Sequence, residues 1–438
     1  MTDRKVAVVL GGTVPHCELI RQLKIRGYYT ILVDYLPNTP AKAVADEHVQ
    51  ESTLDKEAVL AVARERNASL VISGCVDQAN VVACYVMEQL GLPVPYSYEN
   101  ALRFSNKGSM KQGMAEHGIP TSRYLYVKST ADLRLEGMRF PVMVKPADSN
   151  SANGVKKAEN EEDMLRSLAA ALEISRNGCA VVEEHVSGRE ISAYCFVKDH
   201  RAKLLMTAER ISTTDGSDRV IKCYASIAPA KISPAAERRA EEIATEIAAA
   251  FDLDNTPLFF QGIVNGDEID VIEFAPRVGG GSCFMTIREN TGFDILSATI
   301  DSWLGKPVSL DSWHEPTRMM AVNTVYGEDG VFDRIAGGES LKRDGVIEEL
   351  FQIRSKGERL DNRRASSSRV CFFITGAEKE EELLEKSKKA YETLSVLDDT
   401  GRNLIRRDMS LFALWDPPRP CYAGAEKELR NAAPSIQS

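Results

Sequence analysis

The chain has 438 residues, 43% hydrophobic and 27% charged, with a formal net charge of -10, which predicts a globular protein of roughly two to four domains and excludes a broad basic face for nucleic acid, though not a local basic pocket. The nine cysteines include no C-x-x-C pair and the six histidines show no zinc-ligand spacing, so reduced thiols are expected rather than a disulfide framework or a zinc site. The apolar run Val6–Leu10 is too short for a signal-peptide core and no apolar stretch reaches transmembrane length, so the expected location is the cytoplasm, with no membrane partner.

Residues 5–10 predict a strand that ends at Gly11-Gly12-Thr13. A helical pattern follows from about His16 to Arg26, then a glycine stop and a strand Thr30–Val33 closed by Asp34. Gly-Gly-Thr-Val-Pro-His lacks the second and third glycines of a dinucleotide fingerprint, and Pro15 intrudes, which argues against nicotinamide or flavin. A helix near Asp55–Arg66, a strand Ser69–Ser73 and a helix near Asn80–Leu90 continue the alternation as far as Gly91-Leu-Pro-Val-Pro95. The pattern predicts a small parallel sheet with a ligand edge at the strand ends, where Gly11, Asp34 and Asp77 would gather. Asp77 reads either as a substrate contact or as a helix cap.

Ser105-Asn106-Lys107 leads into a helix to about His117. Farther on, Phe140-Pro-Val-Met-Val-Lys145 presents a lysine at the end of an apolar strand, beside a small polar loop from Ser149 through Asn150 and Ser151 to Gly154. Such a lysine either snorkels to solvent or meets an anion. After a helix near Glu161–Leu172, a strand Ala180–Val182 runs into Glu183, Glu184, Val186 and Glu190. These acids suit an adenine amino group and ribose hydroxyls, or else a solvated hinge. Antiparallel strands Ile191–Val197 and Ala202–Ala208 follow, then an amphipathic helix Pro234–Phe251.

Strand Leu258–Val264 carries Gln261, and Asn265-Gly266-Asp267-Glu268 makes a tight hairpin into Ile269–Phe274. If the hairpin pairs, Gln261 and Glu273 can share an ion. The turn after Glu273 adds Arg277 and three glycines. A carboxylate, a guanidinium and open backbone N–H groups suit a metal-bound polyphosphate; the alternative is a surface loop with a salt bridge. Arg288 reads as a carboxylate anchor or as a surface ion pair. Beyond Asp301, strands Ala321–Val325 and Val370–Ile374 with a charged helix Glu378–Leu394 predict a small α+β unit. The Pro-, Ala- and Glu-rich end predicts a flexible tail.

Lys107, Lys145 with its loop, Glu183-Glu184-x-Val186 with Glu190, and Gln261 with Glu273-x-x-x-Arg277 together resemble the ATP-grasp superfamily. The branch they resemble contains biotin carboxylase, the carbamoyl-phosphate synthetase large subunit and phosphoribosylamine–glycine ligase. The resemblance implies an α/β and α+β multidomain chain. It comprises a Rossmann-like parallel sheet over 1–100, an ATP-grasp core over 101–305, a small C-terminal unit over 306–412 and a tail over 413–438. It implies ATP and Mg²⁺, with Mn²⁺ as a substitute, small carboxylate and amine substrates, no nucleic acid, and a homodimer as the assembly to look for.

By the same resemblance, Lys107 and Lys145 hold phosphates under the loop Ser149–Gly154. Main-chain groups of Glu184 and Val186 read adenine, with Glu183 nearby and Glu190 on the ribose. Gln261 and Glu273 ligate the metal, Arg277 faces the transferring phosphoryl group, and Asp77 and Arg288 face substrate. The implied chemistry is C–N ligation through an acyl phosphate, releasing ADP and phosphate. A bicarbonate-activating carboxylase and a catalytically weak ATP-binding regulator are the alternatives. The chain departs from the family at Ala275, where Asn-Pro-Arg is usual and a metal ligand is lost. The phosphate loop also has a single glycine.

Overall fold

The computed structural model describes residues 4–135, 137–149, 152–216 and 220–414; Asn150, Ser151 and all but the first two residues of the expected tail lie outside them. The leading unit runs β1 (Val6–Leu10), α1 (Val14–Ile25), β2 (Tyr29–Val33), β3 (Glu47–Val49), α2 (Lys56–Glu65), β4 (Ala68–Ile72) and α3 (Asp77–Gln89). Its four strands are parallel in the order β3-β2-β1-β4. β1 contains no polar residue, and Ala7 through Leu10 are fully buried, as a parallel strand covered on both faces requires. The parallel sheet expected from the strand–helix alternation is therefore present. α3 starts three residues earlier than the sequence pattern indicates, so Asp77 occupies its first turn, where an acid is favoured by the helix dipole.

α4 (Tyr98–Ser105) hands over to α5 (Lys107–Glu116) at Asn106, whose side chain accepts from the Gly108 and Ser109 N–H groups. This cap fixes Lys107 at the first position of α5. A small antiparallel sheet follows, formed by β5 (Tyr124–Val127), β6 (Val142–Pro146), β7 (Lys156–Ala158) and β8 (Ala180–Glu184) in the order β5-β8-β6-β7. α6 (Glu161–Ile174) packs Met164, Leu168 and Ala171 against Val142, Val144 and Val182 of this sheet.

The large sheet starts with β9 (Arg189–Lys198), β10 (Arg201–Asp215) and β11 (Val220–Ala228). α7 (Pro234–Ala250), capped by Ser233, precedes β12 (Thr256–Asn265) and β13 (Glu268–Ala275). α8 (Cys283–Thr291) and α9 (Ile295–Trp303) lead to β14 (Met319–Tyr326), β15 (Gly330–Ala336), β16 (Glu349–Gln352), β17 (Arg359–Leu360), β18 (Arg369–Ala377) and β19 (Ser395–Asp398). Eight of these strands form one antiparallel sheet in the order β13-β12-β9-β10-β11-β14-β18-β16. The two strands expected in a separate C-terminal unit thus extend the core sheet, since β14 pairs with β11 over Ala225–Ala228. Among the described strands after α9, β17, β15 and β19 form a separate sheet in the order β17-β15-β19.

Candidate active site

A cleft of about 860 Å³ lies between the small sheet, the large sheet and the Cys75–Asp77 turn of the leading unit. Lys107, Lys145, Ser149, Glu183, Glu184, Val186, Glu190, Gln261, Glu273, Arg277 and Asp77 all line it. The sequence scatters these residues over three units, and the fold brings them to one cavity.

The hairpin positions the carboxylate. Asn265 pairs with Glu268 across the two-residue turn, Gly266 adopts φ +63°, and Gln261 is the direct partner of Glu273. The register then shifts between Gln261 and Gly262, leaving Ile272 as the extra residue of a bulge. Strict alternation would turn Glu273 away from the side that Asp270 and Ile272 face; the bulge puts Ile272 and Glu273 both on the cleft, and Phe274 into the core. Gly262 permits this: a Cβ there would meet Ile269 Cγ2 at 2.7 Å and the Asp270 carbonyl at 3.1 Å.

Lys107 Nζ donates to the Ser149 carbonyl at 2.7 Å and lies 3.5 Å from a Glu273 oxygen. It connects the segment at Ser149 to the carboxylate. Ser149 Oγ in turn donates to the Asn153 carbonyl at 2.9 Å. Gly154 adopts φ +76° and packs toward Pro146 and Ile174, so it shapes the loop without lining the cleft. Asn150 and Ser151 lie outside the described residues.

Lys145 meets an anion, and that anion is internal. Its ammonium pairs with Glu183, whose other oxygen takes Lys111 Nζ at 2.7 Å. Lys111 also donates to Thr121 Oγ1 at 2.7 Å. Burial alone would raise the Glu183 carboxyl, but the charges and hydrogen bonds of Lys111 and Lys145 outweigh it and hold the carboxyl at about 2. Burial pulls Lys111 down, while Glu183 opposes that shift. Glu183 is thus a buried bridge between two lysines. Lys111 carries no motif of its own; its i+4 spacing from Lys107 on α5, which places both on one helix face, is the sequence signal that marks it.

Glu184 directs its carboxylate outward to Arg139 at 2.9 Å, and its N–H donates to the Arg123 carbonyl. The His185 N–H donates to the Pro141 carbonyl, whereas the Val186 N–H makes no backbone hydrogen bond among the described residues. Glu190 accepts from Arg210 Nε at 2.7 Å, and both residues line the cleft.

Arg277 makes a two-pronged ion pair with Asp77, its Nη2 donating to Oδ2 at 2.7 Å, while Nη1 donates to the Val278 carbonyl at 2.8 Å. The guanidinium lies 4.8 Å from the centre of the Phe259 ring. Burial depresses the arginine's proton affinity, and the Asp77 carboxylate more than offsets that effect. Asp77 therefore faces Arg277 instead of capping α3, whose N-cap is Val76 without a side-chain bond. Arg288 does not line the cleft; it pairs with Glu18 at 3.1 Å and Glu289 at 3.3 Å. Asp34 also lies elsewhere, accepting from the Leu36 N–H.

Among the described residues no cluster of three or more His, Cys, Asp or Glu side chains could hold a metal by itself. Gln261 and Glu273 offer one amide and one carboxylate on paired strands. This hard-oxygen set fits a Mg²⁺ ion that keeps water and takes phosphate oxygens as its remaining ligands. No helix of the described residues is long and apolar enough to cross a membrane.

Residues 112–290 match the ATP-grasp domain model. The formate-dependent phosphoribosylglycinamide formyltransferase of Pasteurella multocida is 27% identical over 399 residues, covering 89% of this chain and 96% of that protein. The L-amino acid ligase of Bacillus licheniformis superposes with a TM-score of 0.76 at 18% identity, covering 91% of this chain and all of that one. The biotin carboxylase domain of Hydrogenobacter thermophilus 2-oxoglutarate carboxylase, crystallised with MgADP and bicarbonate, gives 0.74 at 16% identity over 94% of each chain. The domain match lies on the segment that carries the small sheet and the first strands of the large one, and the fold is shared beyond it: the chain carries an ATP-grasp domain over residues 112–290.

Proposed function

We propose that this protein is an ATP-dependent ligase that activates a small carboxylate as an acyl phosphate and joins it to an amine, releasing ADP and phosphate. The observation that carries this reading is the convergence of Lys107, Lys145, Gln261, Glu273 and Arg277 on one cleft. Phosphoryl transfer asks a protein mainly for positioning and charge neutralisation, and these groups supply both. Its relatives, named as formyltransferases that depend on formate, use a small carboxylate too, which supports the same reaction class.

Residues 101–305 hold the nucleotide in this reading, 1–100 bring Asp77 to the acceptor end, and 306–412 close the far wall. The Val186 N–H, free of backbone partners, and the main chain of Glu184 suit the adenine edge; Glu190 suits the ribose. Lys107 and Lys145 hold the phosphates, so ATP exchanges with the internal acids that these lysines meet in the structure. Gln261 and Glu273 would hold a Mg²⁺ ion, which would supply charge neutralisation for the transferring group.

A carboxylate oxygen attacks the γ-phosphorus while the bond to the β-phosphate oxygen breaks, and ADP leaves with the electron pair. Arg277 stabilises charge on the acyl phosphate. The amine nitrogen then adds to the acyl carbon, the C–O bond to phosphate breaks, and the amine proton passes to water or the departing phosphate. Ser149, beside Lys107 at the phosphate end of this reading, helps keep water from the acyl phosphate.

The test is a phosphate-release screen with Mg-ATP over small acids paired with amino acids and amino sugars, with ADP measured in parallel. ADP formation that requires both an acid and an amine supports the ligase. Folded protein that binds Mg-ATP and releases no ADP with any pair favours the regulator, and release that depends on biotin favours the carboxylase.

A further inference from the structure

Two lysines share one carboxylate at the wall of the cleft, and only one of them can reach a ligand. Lys145 and Glu183 line the cavity, whereas Lys111 does not. The Lys111 side chain is 2% exposed and approaches Glu183 from α5. Each of its three protons has an acceptor: Glu183 Oε2 at 2.7 Å, Thr121 Oγ1 at 2.7 Å and Ser122 Oγ at 3.3 Å. Ser122 Oγ in turn donates to Glu183 Oε2 at 3.2 Å.

The charges in this group do not balance: two ammonium groups meet one carboxylate, and the cation on the cavity wall is Lys145. A phosphate that draws Lys145 away leaves Glu183, a buried carboxylate, to whatever cation stays. A buried carboxylate with no counter-charge is strongly disfavoured. Lys111 is fastened in place. Its partner Thr121 donates onward to the Val271 carbonyl at 2.8 Å, and the Val271 N–H donates to the Pro120 carbonyl. The segment that supplies both hydroxyl partners of Lys111 is thereby tied to β13, the strand that bears Glu273.

We propose that Lys111 is a positioning residue for the nucleotide: it remains the counter-ion of Glu183 when Lys145 turns to a phosphate, so that the movement of Lys145 strands no buried charge. This role rests on the ATP-dependent reading of the cleft, since it needs a phosphate for Lys145 to meet. Lys111 acts through Glu183 and touches no ligand. Among the described residues no cation other than these two lysines pairs with Glu183. Without Lys111, Glu183 has Lys145 alone and holds it back from the phosphate.

Calorimetric titration of the full chain with Mg·ADP and with adenosine tests this, because adenosine carries no phosphate to draw Lys145. Lys111→Met is expected to weaken Mg·ADP on the order of 10-fold or more and to bind adenosine as the parent does. Lys111→Met combined with Glu183→Gln removes the charge that needs a partner, and is expected to restore Mg·ADP affinity to the parental level or above. Equal losses for the two ligands, an unchanged Mg·ADP affinity in Lys111→Met, or no recovery in the double variant would each overturn the role and leave Lys111 a structural ion pair. Where Lys111→Met does not fold, or adenosine binds too weakly to titrate, the double variant decides: parental or tighter Mg·ADP binding supports the proposal, and weaker binding overturns it. A parent that does not bind Mg·ADP counts against the nucleotide reading itself, and the role of Lys111 falls with it.

Discussion

Gln261 stands directly opposite Glu273 on β12 and β13, and one residue farther along the ladder slips so that Glu273 turns into the cleft. In the proposed function this pair would supply the protein's ligands to Mg²⁺, since Ala275 offers no side-chain oxygen. Glu273→Ala is expected to lower turnover by about 100-fold or more, and Gln261→Ala by about 10-fold. Steady-state ADP release at varied Mg²⁺ checks both; a Glu273→Ala protein of unchanged activity sinks the metal assignment.

Gly262 allows the bulge that aims Glu273. A Cβ there would press on Ile269 and the Asp270 carbonyl, so Gly262→Val is expected to reset the register and uncouple Glu273 from Gln261. Mg-nucleotide affinity should fall about as far as in Gln261→Ala or farther, as measured by calorimetry. A variant with parental affinity would show that the bulge does not aim the ligand.

The Asp77–Arg277 pair joins residues 200 positions apart, tying the leading unit to the core. Removing Asp77 strands a nearly buried guanidinium, an effect of about 3 kcal/mol. Asp77→Ala is expected to unfold at lower urea concentration, and Asp77→Asn, which keeps one hydrogen bond, to lose kcat about 10-fold with less change in KM for ATP. A parental kcat for Asp77→Asn would remove Asp77 from the positioning of Arg277.

Two buried groups give the stability an acid-side slope in separate windows. His16 is fully buried, accepts from the Thr13 N–H, and burial pushes it down from 6.5 to about 4. The unfolded chain therefore binds the extra proton first, and stability drops by about 3 kcal/mol as pH falls from 6.5 toward 4. Glu183, depressed from 4.5 to about 2, contributes stability above 4.5 that is lost as pH falls through 2. Urea denaturation at pH 7 and 5 reads the first window; a folded His16→Asn protein should lose most of that slope.

Much of the architecture was legible because its signals are local. β1 reads as an unbroken apolar run, α5 begins at an Asn cap, and the Asn265–Glu268 turn fixes a hairpin that places Gln261 opposite Glu273. Periodicity and turn chemistry operate within a few residues, so one chain suffices to read them. The Lys107, Lys145 and Glu273-x-x-x-Arg277 pattern was legible for the same reason, each member marking the end of an element.

Which charge meets which was settled only by the tertiary structure. No spacing pairs Lys111 with Glu183, and none brings Asp77 to Arg277 while taking Arg288 out to Glu18. Nor does a spacing reveal that Ser282 Oγ and Arg369 Nε are buried without a hydrogen-bond partner. Ion pairs and buried polar contacts depend on distances of a few ångströms between elements far apart in the chain. The sequence by itself determined the elements and the class of site; the packing of three units around one cleft determined which groups are already neutralised and which are left for a ligand.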